Sequence, residues 1–210
     1  MILASQSPRR IELMREAGYA CTVKPADIDE TPRPGEHPLA LVERLARSKA
    51  QAVASEMAAP GELVIAADTI VTIDGEILGK PRDTEDAKRM LRLLSGRTHQ
   101  VATGVCIATG ELRKTEPPAS GPQDAHEGTP PAGKIDSFVA VTDVSFYPLS
   151  EAHIEAYVAS GEPMDKAGAY GIQGAGGRML VRGIRGDYYN VVGLPIAELA
   201  RHLGPRITLP

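Results

Sequence analysis

Two arginines follow a serine and a proline in the stretch LASQSPRR, residues 3–10. Ser7 reads as a helix N-cap and Pro8 as the first helical position. Arg9 and Arg10 then fall in a first turn whose partial positive charge opposes them. Either the guanidiniums lie outward over the helix, or they join the hydroxyls of Ser5 and Ser7 and the free helix N–H groups in capturing a polyphosphate. In VIAADTIV, residues 64–71, Asp68 follows an apolar run that reads as buried strand. A carboxylate there is costly unless paired, metal-bound or hydrated. It is a strand-end turn on one reading, and a divalent-metal ligand or a general base for water on the other. Glu30, in the polar loop DIDETP, is a second carboxylate for the same metal. Lys80 in GKPRD (79–83) offers a point charge for phosphate, and Lys49 and Lys166 are further candidates. Lys49 also fits a solvated helix position. In GAYGIQG (168–174) three glycines let backbone approach a ligand, and the Gln173 amide has the donor and acceptor to read a base.

These residues need elements to hold them. Met1–Ala4 and 20–25 read as short strands, with a helix between them that stops at Gly18. The segment 27–38 is polar and proline-rich, a loop. Residues 39–58 form an amphipathic helix, and 62–78 two strands joined at Asp74-Gly75, a hairpin signal. A helix capped by Thr84 spans 84–96, a strand 99–109, a strand 138–149 and a capped helix 150–161. Residues 163–177 read as glycine-rich loop, 178–193 as β-like, and 194–204 as the last helix. The stretch 110–134 has no periodicity and reads as a flexible, exposed Pro/Gly-rich loop inserted in a hairpin, with His126 in it lacking an evident partner. Strands and helices mix without a strict βαβ rhythm, which favours α/β or α+β with a mixed sheet.

Composition narrows the classes. The 210 residues suffice for one sizeable core, and a net charge of −4 gives no reason to expect a nucleic-acid binder. Cys21 and Cys106 lie in apolar, strand-like runs and read as free buried thiols of a reducing, cytoplasmic setting. No apolar run approaches the roughly 20 residues of a membrane span. The first residues lead straight into structure, so no signal peptide is expected.

The ordered motifs LASQSPRR, ADTIV, GKPRD, LSGRTHQV, EPMDKAGAYGIQG and VVGLP together resemble the Maf family of nucleoside triphosphate pyrophosphatases, over nearly the whole chain. The loop at 110–134 is the exception, being longer and richer in proline than the family pattern. The resemblance implies one domain over 1–210 with the Maf/inosine-triphosphatase-like α/β fold: an elongated mixed sheet with flanking helices, in two lobes around a deep cleft. It implies hydrolysis of a nucleoside triphosphate to monophosphate and pyrophosphate with a divalent cation, magnesium or alternatively manganese, and a homodimer without nucleic-acid or membrane partners. Arg9, ADT and GIQG resemble the branch acting on dTTP and UTP rather than the one acting on 7-methyl-GTP. Asp68 would then accept the water's proton and contact the metal, with Glu30 helping to hold it. Ser5, Arg10, Lys49 and Lys80 would grip the triphosphate, and Arg9, Thr69 and Gln173 would select the base. Asp165 and Lys166 would sit beside the cleft. Alternatives are the same chemistry on 7-methyl-GTP or on modified pyrimidine nucleotides, or a nucleotide-binding regulator of septum formation, with which the family has been associated.

Overall fold

A computed structural model describes residues 1–56, 58–110 and 134–204. The expected loop at 110–134, with His126, lies outside them apart from its two end residues. Among the described residues seven strands form one mixed sheet: β1 (Ile2–Leu3), β2 (Thr22–Val23), β3 (Leu63–Ile73), β4 (Glu76–Leu78), β5 (Thr98–Thr109), β6 (Ile135–Phe146) and β7 (Val181–Arg185). Their order is β2-β1-β3-β5-β6-β7, with β4 beside β3. The β1 strand runs parallel to β2 and β3, and all other pairs are antiparallel.

The apolar run in β3 is what burial on both faces demands. On one face α2 (Pro38–Glu56) lays Ala46, Ala50 and Val53 against Val64 and Ala66. Helix and sheet approach so closely that a Cβ on Gly104 would stand 2.3 Å from the Val42 carbonyl oxygen. On the other face two apolar clusters follow one another along the long strands. Leu63, Ile65 and Ala67 pack with α1 (Pro8–Glu16) and α7 (Ile196–Leu203). Val71 and Ile73 pack with α3 (Thr84–Leu94) and α4 (Glu151–Ala159). The β3–β4 turn is the expected one, with φ 52° at Asp74 and 82° at Gly75, both left-handed as a two-residue hairpin turn requires.

Several boundaries differ from the expectations. The cap of α3 is Asp83, whose carboxylate accepts from Asp86 N–H at 2.8 Å, and Thr84 is the first helical residue. The predicted β-like stretch 178–193 holds only the short strand β7, flanked by α5 (Gly177–Leu180) and α6 (Tyr188–Val192). Asp187 caps α6 by accepting from Tyr189 N–H at 2.8 Å, and Gly193 ends it with φ 126°. Those end signals override the apolar run between them.

His99, expected only as part of a strand, is a core residue at 2% exposure. Its Nε2 lies 2.8 Å from the Tyr170 hydroxyl, and its ring meets Phe146 and Tyr170 edge-on. Burial pulls its pKa from the ordinary 6.5 to about 4. The unfolded chain therefore binds more protons between those values, and stability present above pH 6.5 drains as the pH falls toward 4. The total is about 3 kcal/mol, at about 1.4 kcal/mol per unit. Urea denaturation across this range will show that decline, and a His99→Gln chain will show a flatter one; equal slopes would remove His99 as its source.

Candidate active site

The cleft exists because β3 is incompletely paired along one edge. β1 covers it only at Val64 and Ile65, and β4 only from Val71 to Ile73. Among the described residues no strand lies against 66–70 on that edge. There a cavity of about 590 Å3 opens, within the range of small-ligand sites. Every one of the residues singled out from the sequence lines it: Ser5, Ser7, Arg9, Arg10, Glu30, Lys49, Asp68, Thr69, Lys80, Asp165, Lys166 and Gln173.

Strand alternation sends Asp68 and Thr69 to opposite faces of the sheet. Asp68, on the α2 face and 9% exposed, meets Lys49 from α2. The Lys49 ammonium lies 2.6 Å from Asp68 Oδ1 and 2.9 Å from Glu30 Oε1. Its side chain is only 12% exposed, so the solvated-helix reading of Lys49 does not hold. Among the described residues no group of three or more His, Cys, Asp or Glu side chains is placed to hold a metal. The two carboxylates that do converge are those drawn to Lys49.

Thr69, on the other face, meets Arg10. The Arg10 guanidinium donates from Nε to the Gly193 carbonyl at 2.7 Å, from Nη1 to Ser5 Oγ at 3.3 Å and from Nη2 to Thr69 Oγ1 at 2.9 Å. It is therefore turned into the cleft, and the outward reading fails for Arg10. Burial lowers its pKa, with Asp68 and Glu30 pulling the other way and Arg9 adding to the fall. Three of its five N–H groups are used, which leaves one on each terminal nitrogen for an anion. Ser7 occupies the N-cap of α1, but its side chain makes no capping bond; Ser5 Oγ instead accepts from Ser7 N–H at 3.2 Å.

Across the mouth, Arg9 reaches Asp165 at 3.3 Å, and Lys166 reaches the other oxygen of the same carboxylate at 2.6 Å. Burial pushes the Asp165 carboxyl up, but the Lys166 and Arg9 cations outweigh that and hold it below its usual value. The glycine-rich loop is braced from behind by Glu162, whose carboxylate accepts from Gly176 N–H, Gly177 N–H and the Tyr157 hydroxyl. Any Cβ on Gly174 would land 1.7 Å from that carboxylate and would have to push it away from those three donors. Gln173 is carried to the rim with its side chain exposed. Lys80 is exposed beside the Gly79 carbonyl, which accepts from Gly168 N–H at 3.0 Å.

Four contributors escaped the sequence reading: Thr103, Asn190, Glu162 and the Gly193 carbonyl. Glu162 stood inside a recognised motif without a role. Asn190 lay in a stretch misread as strand, where Asp187 ahead and Gly193 behind were the signals of a short helix.

A family model described as Maf-like protein matches residues 1–205. A dTTP/UTP pyrophosphatase of Anaeromyxobacter dehalogenans (strain 2CP-C) is 51% identical over 200 residues, covering 95% of this chain and 90% of its own. A protein of the same name from Chromobacterium violaceum is 47% identical, covering 94% of this chain and 90% of its own. One from Myxococcus xanthus (strain DK1622) is 49% identical, covering 94% and 88%. A solved dITP/XTP pyrophosphatase from Mycobacterium abscessus superposes over 99% of this chain and 97% of its own at 13% identity, with a TM-score of 0.41, too loose a fit to argue from.

Proposed function

The chain belongs to the Maf-like protein family, and from that membership and its cleft we propose that it is a nucleoside triphosphate pyrophosphatase. It hydrolyses dTTP and UTP to the monophosphate and pyrophosphate. The observation that carries this is the cleft's distribution of charge: Asp68 and Glu30 converge on Lys49 on one side, while Arg10, Lys80 and the Arg9–Asp165–Lys166 group line the rest. The names of relatives about half identical to this chain supply the substrate class.

Water attacks the α-phosphorus and the bond to the bridging oxygen breaks, releasing pyrophosphate. Such a reaction is catalysed mainly by positioning and by neutralising the charge that grows on the phosphate oxygens. Asp68 orients the water and takes its proton. Its Oδ1 is engaged by Lys49, which leaves Oδ2 for that work. Arg10, Lys80 and Ser5 hold the phosphates, and Lys49 exchanges a carboxylate for a phosphate oxygen when the chain of phosphates enters. Gln173 and Arg9 face the base, whose O4 and N3–H need a fixed donor and acceptor.

Asp68 and Glu30 also fit a divalent cation of the magnesium or manganese type, because both already gather about one positive charge at Lys49. Such an ion is commonly held by one or two carboxylates plus substrate phosphates, and it would supply further charge neutralisation at the phosphates. As a further part of the reading, the enzyme acts as a cytoplasmic homodimer. Among the described residues no helix is long and apolar enough to cross a membrane.

The test is pyrophosphate release from dTTP, UTP, CTP, GTP and 7-methyl-GTP with magnesium. The expected kcat/KM for dTTP and UTP exceeds that for 7-methyl-GTP by about tenfold or more, as fixed polar partners for a base discriminate. The reverse order would move the chain to the other branch.

A further inference from the structure

On the face of the sheet that carries Thr69, the two apolar clusters do not meet directly. Ala67 belongs to one and Val71 to the other, with Thr69 between them. On β5, Val105 and Val101 divide the same way, with Thr103 between and opposite Thr69 in register. Thr103 is 0% exposed and is not among the residues lining the cleft.

A ring of hydrogen bonds passes through this seam. Arg10 Nη2 donates to Thr69 Oγ1, which lies 2.9 Å from Thr103 Oγ1. The Thr103 hydroxyl donates to the Asn190 carbonyl at 3.2 Å. Asn190 is fully buried, and its amide donates to the Val101 carbonyl and Thr142 Oγ1, both at 3.0 Å, which pins α6 to the sheet. Three residues on, the Gly193 carbonyl accepts Arg10 Nε at 2.7 Å and closes the ring.

A threonine hydroxyl has one proton. With Thr103's on the Asn190 carbonyl, Thr69's proton belongs to Thr103, and the Thr69 lone pairs face Arg10. Both acceptor carbonyls already take one donor, Gly193's from Arg10 and Asn190's from the Gly193 N–H at 3.0 Å, so distance sets the direction: Thr103 lies 3.2 Å from the Asn190 carbonyl, and Thr69 3.5 Å from that of Gly193. Hydrogen bonds aligned in one direction reinforce each other. Thr69 then has no proton left to offer a base.

Building on the reading of the cleft as a triphosphate site, we infer that Thr103 is a positioning residue: it fixes Thr69 as an acceptor so that Arg10 is aimed at phosphate. The influence of Thr69 on substrate choice therefore runs through the phosphate grip and not through contact with the base.

The experiment compares Thr103→Val and Thr103→Ser with the unaltered chain. It measures the Kd for inorganic tripolyphosphate by calorimetry, and KM and kcat on dTTP, UTP and CTP. Thr103→Val should raise the tripolyphosphate Kd and the KM of every nucleotide by one shared factor of about five to ten, the scale of a single net hydrogen bond. Its kcat and the dTTP-to-CTP preference should hold, and Thr103→Ser should restore binding. Should Thr103→Val fail to fold, Thr69→Val, in the accessible cleft, carries the same expectation, with Thr69→Ser as its rescue. A changed dTTP-to-CTP preference with an unchanged tripolyphosphate Kd would overturn the inference and make Thr69 a base reader. A folded Thr103→Val chain identical to the parent in every constant would overturn it too. If the unaltered chain binds tripolyphosphate but hydrolyses no nucleotide, the proposed function fails, and the Kd comparison alone still decides the ring.

Discussion

Asp68→Asn will lower kcat for pyrophosphate release from dTTP and UTP by about 10²–10⁴-fold, the usual contribution of a positioned general base. The change is nearly isosteric, so the strand and its pairing to Gly104 on β5 remain. What disappears is the proton acceptor, while the amide oxygen can still accept from the Lys49 ammonium. Lys49 keeps Glu30 at 2.9 Å as a counter-charge and is not left buried alone, which limits the structural cost that usually follows when one member of a buried pair is removed. Nucleotide binding measured without added divalent cation should therefore survive within about threefold, because the phosphate-holding side-chain cations are untouched and the proton acceptor acts only in the transition state. Single-turnover pyrophosphate release, with equilibrium binding of the same nucleotide, separates the two effects. Turnover within about tenfold of the parent would take the base role from Asp68. Unchanged binding by a parent chain that never turns over would instead favour a purely nucleotide-binding protein.

The lining of the cleft was more legible in the sequence than the element boundaries around it, for a physical reason. Arginine in the first turn of a helix and aspartate in an apolar strand are each unfavourable placements, so they advertise a compensating partner. Arg10 and Asp68 both have one: the Gly193 carbonyl and the Lys49 ammonium. Glycines 168, 171 and 174 likewise marked a loop that closes over other atoms, and the Val71 side chain, the Lys166 stem and Glu162 are what they respectively close over. Threonine gives no such signal. It is a favoured strand residue in any environment, so Thr103 inside an apolar run looks like ordinary strand, and only its register opposite Thr69 gives it a role. The open edge of β3 was equally hidden, since it depends on where β1 ends and β4 begins along a third strand. The helix α6 was misread because five residues are too few for a periodic pattern to compete with an apolar run. There the ends, Asp187 and Gly193, carried the information.

Arg10→Ala will raise KM for dTTP and UTP by about 10²-fold while kcat moves by only about threefold or less, the pattern of binding lost equally from ground and transition states. Two N–H groups of Arg10 remain for phosphate, and a charge-assisted hydrogen bond contributes about 1.5–3 kcal/mol net. Two at the lower bound give about 3 kcal/mol, which is about 10²-fold at 1.4 kcal/mol per decade. In folding, by contrast, there is a gain, because a partly buried guanidinium, its pKa lowered by desolvation, no longer has to be held away from water. Folding should accordingly be little affected, although Gly193, Ser5 and Thr69 each lose a donor. Arg10→Lys will not restore KM. A single ammonium cannot reach the Gly193 carbonyl, Ser5 and Thr69 together and still present two parallel donors to a phosphate. Charge alone would make lysine an adequate substitute, whereas an orientation imposed by the surrounding ring makes it a poor one. Steady-state KM values for the two variants, read beside their tripolyphosphate Kd values, distinguish the two accounts. Recovery of the parent KM in Arg10→Lys would mean that the pocket needs a positive charge there and nothing of the fork's geometry.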